Sequence, residues 1–279
     1  DNNQLFITNN QDINIEVDVI TPPEYMKDEI VIENKKITCY VNTYTDRVRL
    51  QLLSGCMNKC KFCNATEFKY DFNSITGLEK ALNIALSQSN VRHVLISSGS
   101  AKINDLKRLT EMYEYFGKKY SYLNLDLMMT PRGFDSYIDD TQYESYIKFL
   151  KDIGISGLSI NMELNNEKML KKYCPEKATI GHDRYLKFID LAVKILGKDK
   201  VRSLLIVGIE SMEDTLQGVE NLAKIGCNPV LSPLFPYGEA NFPPNAELFI
   251  NTKFESEKIC KKYNIKMGPL CVPCSHNTL

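Results

Sequence analysis

RVRLQLLSGCMNKCKFC, residues 47–63, begins as an apolar β-type run and ends in a loop that carries Cys56, Cys60 and Cys63. Outward from it, similar apolar runs recur at 92–98, 123–129, 157–163, 201–207 and 228–235. Amphipathic helical stretches fall between them at 77–88, 104–120, 141–153, 182–196 and 211–225, with a last one at 252–263. Several open on an Asn, Asp, Ser or Thr placed to cap the first turn. Nearly continuous apolar strands alternating with helices imply parallel strands covered by helices. Six such units build an open doubly wound sheet or a partial barrel, and in both the chemistry sits at the carboxyl ends of the strands.

Residues 1–46 break the alternation. EIVIENKKITCYV (29–41) reads as a β-hairpin turning at Asn34-Lys35, preceded by a short strand within 13–20. The expected fold class is therefore α/β: an N-terminal β extension (1–46), a barrel (47–250), and a C-terminal helix with a cysteine-containing tail (251–279).

Composition narrows the function. Thirty-four Lys+Arg against 35 Asp+Glu leave a net charge of −1 over 279 residues, which offers no basic footprint for nucleic acid and no polybasic membrane anchor. No apolar stretch approaches the roughly 20 residues that span a bilayer. The polar DNNQLFITNN at residues 1–10 lacks the profile of a secretion signal, so a cytoplasmic location is expected. The nine cysteines are too few for a disulfide scaffold and odd in number. As reduced thiols they serve as buried small hydrophobes, metal ligands or redox groups, and spacing decides which.

Cys56, Cys60 and Cys63 lie three and then two residues apart in a loop at a strand's carboxyl end. Three thiolates this close can hold three corners of a cubic iron–sulfur cluster. A structural zinc site wants four ligands, as in paired CxxC motifs. With no fourth cysteine nearby, one iron stays open to a substrate or cofactor, which favours catalysis over electron carriage.

The octapeptide CMNKCKFC (56–63) resembles the CxxxCxφC signature of radical S-adenosylmethionine (SAM) enzymes at every defined position, with Phe62 as the aromatic. The resemblance spans about residues 47–235. It implies a partial (β/α)6 TIM-type barrel and a [4Fe-4S] cluster on Cys56, Cys60 and Cys63. The open iron of that cluster is chelated by SAM, which one electron cleaves to a 5′-deoxyadenosyl radical. It also implies an electron donor such as ferredoxin or flavodoxin.

Further residues fit the same family. SSGS at 97–100 occupies the place of a Gly-Gly-Glu-like segment that receives the cofactor's amino group, and only Gly99 matches it. Period-two alternation puts Asn161 and Glu163 on one face, the barrel interior. A carboxylate there is costly unless it hydrogen-bonds something, and a ribose diol would suit it. Arg184, opening the next helix, is placed to fork onto a carboxylate. The Asn-x-Glu strand end, the following Arg and LLIVGIE at 204–210 are similar to the biotin synthase and lipoyl synthase group. That similarity places Phe62, Gly99, Asn161, Glu163 and Arg184 around the cofactor.

The tail KMGPLCVPCSHNTL adds a CxxC, Cys271 and Cys274, with His276 beyond it. It reads as a redox dithiol, two zinc ligands, or half of a second cluster site completed by Cys39 or, in competition, Cys260. With Cys39, Cys271 and Cys274 as ligands of a second [4Fe-4S] cluster, the group's chemistry implies sulfur insertion, a transferase reaction on a small-molecule or protein-bound acyl chain. A partner protein presenting the substrate is compatible with that. The compact N-terminal CxxxxCxxxxxC of lipoyl synthases is absent. The alternatives are radical rearrangement, lyase or methylthiolation chemistry, a non-catalytic iron–sulfur carrier, and a zinc module. Arg132, ending the third strand, is a candidate for a substrate carboxylate, or else an arginine packed along a helix end.

Overall fold

A computed structural model of the chain describes residues 5–8, 14–17, 21–27, 29–44, 46–88, 93–270 and 278–279. One curled sheet holds seven strands: β1 (Val41–Tyr44), β2 (Arg47–Leu50), β3 (His93–Ser97), β4 (Asn124–Met128), β5 (Gly157–Ser159), β6 (Val201–Val207) and β7 (Asn228–Pro233). Their spatial order, β7-β6-β5-β4-β3-β2-β1, is chain order. Strands β2 to β7 run parallel, and β1 lies antiparallel on β2 with Val41 opposite Leu50. Parallel neighbours need crossovers. The helices α1 (Ile75–Gln88), α2 (Leu106–Lys119), α3 (Tyr143–Asp152), α4 (Glu167–Tyr173), α5 (Pro175–Ile180), α6 (His182–Leu196) and α7 (Met212–Lys224) supply them, and α8 (Ala246–Lys262) follows β7. The six expected strands all belong to this sheet, a partial TIM-type barrel.

The core lies between sheet and helices. Val48, Leu50, Val94, Leu127 and Leu158 meet Leu78, Phe116, Ile147 and Phe188 there, all nearly inaccessible to water. The opposite face of β2 carries Arg47 and Arg49, which line the barrel lumen. Among the described residues no helix is long and apolar enough to cross a membrane.

Three details depart from the sequence reading. The N-terminal hairpin pairs Val31 with Lys36 and turns at Glu33-Asn34, one residue earlier than expected, because both adopt positive φ (47° and 62°). Helix α8 starts at Ala246, where the Asn245 side chain accepts from the Leu248 N–H. The pair α4 and α5 was not expected at all: each is under two turns long, and Cys174-Pro175 divides them.

At the amino-terminal end of the strands, Asp126 is buried between Arg202 (Nη1 at 2.5 Å) and His93 (Nε2 at 3.0 Å). Burial pushes its pKa up, but the close approach of His93 and the charge and hydrogen bond of Arg202 outweigh that and hold it at about 2. A carboxylate depressed in the folded state stabilises above its unfolded pKa of about 3.9, and that contribution is lost as pH falls through the folded value. Asp126→Asn should therefore cost about 2 kcal/mol at neutral pH. In thermal melts of the cluster-free protein, its difference from wild type should hold above about pH 4 and vanish towards pH 2.

Candidate active site

Strand β2 ends at the carboxyl mouth of the barrel and hands the chain to the cysteine loop. Gly55 turns it with φ 71°, and a side chain there would strike the Phe68 carbonyl. The loop has almost no regular structure of its own, so it is held from both sides. On one side the segment after β3 grips it: the Met57 N–H donates to the Ser100 carbonyl (2.9 Å), the Ser100 N–H donates to Cys56 Sγ (3.1 Å), and Asn58 Nδ2 donates to Ser100 Oγ (2.9 Å). On the other side the Lys59 N–H donates to Glu176 Oε2 (2.7 Å) and the Lys61 N–H to the Tyr173 carbonyl (2.9 Å).

Gly99 sits where β3 meets the loop. A Cβ on it would lie 1.9 Å from the Gly55 carbonyl oxygen and 2.8 Å from Cys56 Cα. Its glycine is required by close approach of two backbones, not by a turn dihedral.

Cys56, Cys60, Phe62, Cys63, Gly99, Asn161 and Glu163 all line one cavity, together with Arg49, Arg132, Tyr113, Tyr137 and Lys177. The sulfurs are not gathered to one point: among the described residues no three His, Cys, Asp or Glu side chains form a metal-ligand group. Cys60 leans into an apolar cluster with Cys174, Leu164 and Tyr173. The hydrogen bond from Cys174 lowers the Cys60 pKa and raises that of Cys174. Burial raises the Cys56 and Cys63 thiols.

Glu163 reaches the cavity by an irregular route. The Ile160 N–H donates to the Arg202 carbonyl and the Glu163 N–H to the Leu204 carbonyl, so three steps on one strand face two on the other. This is a β-bulge, and Glu163 emerges from it with φ 69°. Its Oε1 accepts from Lys177 Nζ at 2.6 Å, and Lys177 also donates to the Asn161 carbonyl (3.0 Å). Burial alone would lower the Lys177 pKa, but the charge of Glu163 outweighs it and the net shift is upward, so the amine stays charged. Lys177 carries no signal in the sequence. It lies on α5, whose existence depends on tertiary packing.

Arg184 is not brought to the cavity. It is exposed on α6, and its Nη1 donates to the Ile180 carbonyl (3.2 Å), capping the short helix before it. The cation beside Glu163 is Lys177 instead. Glu210, from LLIVGIE, is buried and accepts from the Asn165 and Asn166 N–H groups (2.9 and 2.7 Å), fixing the start of α4 outside the cavity. Arg132 is 2% exposed; its Nε donates to Tyr146 Oη (3.0 Å), its Nη1 to the Leu106 carbonyl (3.2 Å), and its Nη2 to Thr110 and Tyr146.

Of the proposed second site, Cys271, Cys274 and His276 lie outside the described residues. Cys39 is exposed at the end of a 3₁₀ turn, beside Asn73, which donates to its carbonyl (3.0 Å). Cys260 is buried in α8 against the main core.

The fold has relatives among solved structures. HydG, the FeFe-hydrogenase maturase of Carboxydothermus hydrogenoformans, superposes with TM-score 0.57 at 17% identity, over 78% of this chain and 52% of HydG. A radical SAM methyltransferase from Sphaerobacter thermophilus gives 0.59 at 14%, over 82% and 67%. SuiB of Streptococcus suis, solved with S-adenosylmethionine, gives 0.62 at 12%, over 84% and 53%. The chain thus spans about half the length of HydG and SuiB. No curated protein matches it. A family model described as the Radical SAM superfamily matches residues 50–238, from the end of β2 past β7 and across the whole cysteine loop, and by that match the chain belongs to the radical SAM superfamily.

Proposed function

We propose that Cys56, Cys60 and Cys63 hold a [4Fe-4S] cluster, that Gly99, Asn161, Glu163 and Lys177 seat S-adenosylmethionine beside it, and that a substrate in the barrel lumen is activated at a C–H bond. Radical SAM enzymes use such a cluster with SAM, and the pair supplies a 5′-deoxyadenosyl radical by one-electron cleavage. One observation carries the assignment: the three thiols and the Glu163–Lys177 pair face a single cavity at the carboxyl ends of parallel strands. The donor set fits, since three cysteine thiols and no carboxylate occupy residues 56–63.

The chain's own residues divide the work. Glu163 accepts from a ribose diol, and the ammonium of Lys177 takes a carboxylate, the part that sequence alone gave to Arg184. Ser100, Thr130 and Asn58 hold the loop by a hydrogen-bond chain, with 2.8 Å between the two hydroxyls. An external one-electron reductant of the ferredoxin or flavodoxin kind completes the system.

Sulfur insertion is the finer version of this reading. It adds an auxiliary cluster on Cys39, Cys271 and Cys274, and the CxxC pattern of the tail is its support. Iron and sulfide analysis after anaerobic reconstitution tests both levels. A Cys56→Ala/Cys60→Ala/Cys63→Ala variant should lose about four irons per chain and all 5′-deoxyadenosine formation. About four irons retained in that variant would count a second cluster and favour sulfur insertion. None retained would remove the sacrificial cluster, and unchanged iron would overturn the radical assignment itself.

A further inference from the structure

The three loop sulfurs meet different donors. Cys56 Sγ accepts from the Ser100 N–H (3.1 Å) and Cys63 Sγ from the Ala65 N–H (3.5 Å). Among the described residues no backbone N–H reaches Cys60 Sγ. Its donor is a side chain, the thiol of Cys174.

Packing, not spacing, brings this fourth thiol to the loop. Cys174 occupies the break between α4 and α5, 0% exposed, in the apolar cluster that also holds Cys60, Leu164 and Tyr173. Two ties bracket the contact: the Lys59 N–H donates to Glu176 Oε2 (2.7 Å) and the Lys61 N–H to the Tyr173 carbonyl (2.9 Å). Cys60 lies between the two tied residues of the loop, and Cys174 lies between Tyr173 and Glu176 opposite. The backbone of Cys174 is pinned in turn. Its N–H donates to the Leu170 carbonyl (2.7 Å), and its carbonyl accepts from the Ala178 N–H (3.0 Å). Cys60 lines the cavity and Cys174 does not, so Cys174 stands behind Cys60 rather than among the ligands.

A thiol is a weak donor, but in an apolar pocket no water competes for it. The pair is polarised one way. The bond raises the Cys174 pKa, as burial also does, and lowers that of Cys60, so Cys174 keeps its proton and donates. A hydrogen bond to a cluster sulfur favours the state that carries the extra electron, and such bonds help to set a cluster's potential. The two backbone donors are fixed by the fold, whereas the Cys174 thiol can be removed by substitution. We propose that Cys174 is a positioning residue for Cys60: it orients that sulfur and, by donating its S–H, makes the cluster held by Cys56, Cys60 and Cys63 easier to reduce. This deepens, and rests on, the reading of those three cysteines as cluster ligands.

The test is a potentiometric titration of the reconstituted protein with titanium(III) citrate, without SAM, followed by electron paramagnetic resonance. It compares wild type with Cys174→Ala, Cys174→Val and Cys174→Ser. The signal read is the one absent from the Cys56→Ala/Cys60→Ala/Cys63→Ala variant. Losing one hydrogen bond should lower the reduced-to-oxidised ratio at a fixed potential about fivefold, which is about 40 mV for a one-electron couple. Cys174→Ala should show that shift to more negative potential. So should Cys174→Val, which fills the space without a donor and serves where the smaller side chain fails to fold. Cys174→Ser, close to alanine in size but with an O–H, should lie nearer to wild type than to Cys174→Ala.

Equal potentials across the series overturn the proposal. So does a shift shared by the alanine and serine variants, which would make Cys174 a packing residue only. Both outcomes spare the radical reading, because the cluster is still there to be titrated. A wild type without that signal overturns the cluster assignment, and this proposal with it.

Discussion

Lys177→Met is expected to lower the melting temperature by roughly 10 °C and to weaken SAM binding by about tenfold or more. The first effect follows from what remains behind. Glu163 and Lys177 are buried against each other at 2.6 Å, and removing the amine leaves a carboxylate in the barrel mouth with no cation. Breaking such a pair from one side typically costs about 3–5 kcal/mol. Against a total stability of about 5–15 kcal/mol that is a large share. The second effect follows from the proposed role of the amine as the carboxylate receptor. The double variant Glu163→Leu/Lys177→Met separates the two, since replacing a whole buried pair by apolar groups is often nearly neutral. Melting should recover in the double variant while SAM affinity, read by calorimetry on reconstituted protein, stays low. Recovery of both would make the pair purely structural.

Gly99→Ala should abolish most cluster loading while leaving the barrel folded. The added methyl would sit 1.9 Å from the Gly55 carbonyl oxygen and 2.8 Å from Cys56 Cα, and both are backbone atoms that no rotamer change can clear. The cysteine loop has to move away from β3, and with it the Met57–Ser100 and Ser100–Cys56 hydrogen bonds. Iron retained after reconstitution should fall below half of wild type, with the far-ultraviolet circular dichroism unchanged. Gly181→Ala is the control. That glycine has φ 83° and ψ 151° but open space around its Cβ direction, so the change costs local backbone strain of about 1–3 kcal/mol and the variant should load iron normally.

The cysteine loop and the barrel were legible for one physical reason each. Three cysteines within eight residues write their spacing into contiguous sequence, and six apolar runs at strand length alternate with helical periodicity. Asn161 and Glu163 were expected on the inner face from period-two alternation and Gly99 from the family resemblance, and all three line the cavity, although Glu163 reaches it through a bulge that period-two counting cannot represent. What stayed hidden depends on packing. Lys177 sits on a helix of six residues that would not hold alone, and its partner is known only once that helix folds back over the mouth. Arg184 had the right position in the chain but points to solvent, because the buried face of α6 is taken by Tyr185, Phe188 and Ile189. The inward arginines of β2 were hidden by a strand that reads as apolar on its other face.

The bonds that hold the cysteine loop also fix the order in which the protein can be completed. Lys59 is tied to Glu176, 117 residues later, and Lys61 Nζ to Glu239, 178 residues later. The cysteines therefore leave the ribosome before the residues that hold them: Ser100 follows with β3, Tyr173 and Glu176 only after β5, and Glu239 only after β7. Contacts this distant in sequence form late, after the cost of closing long loops has been met. Cluster assembly in the cell is then a finishing step on a nearly closed barrel. Until that step, reactive thiols wait on a loop that nothing yet shields.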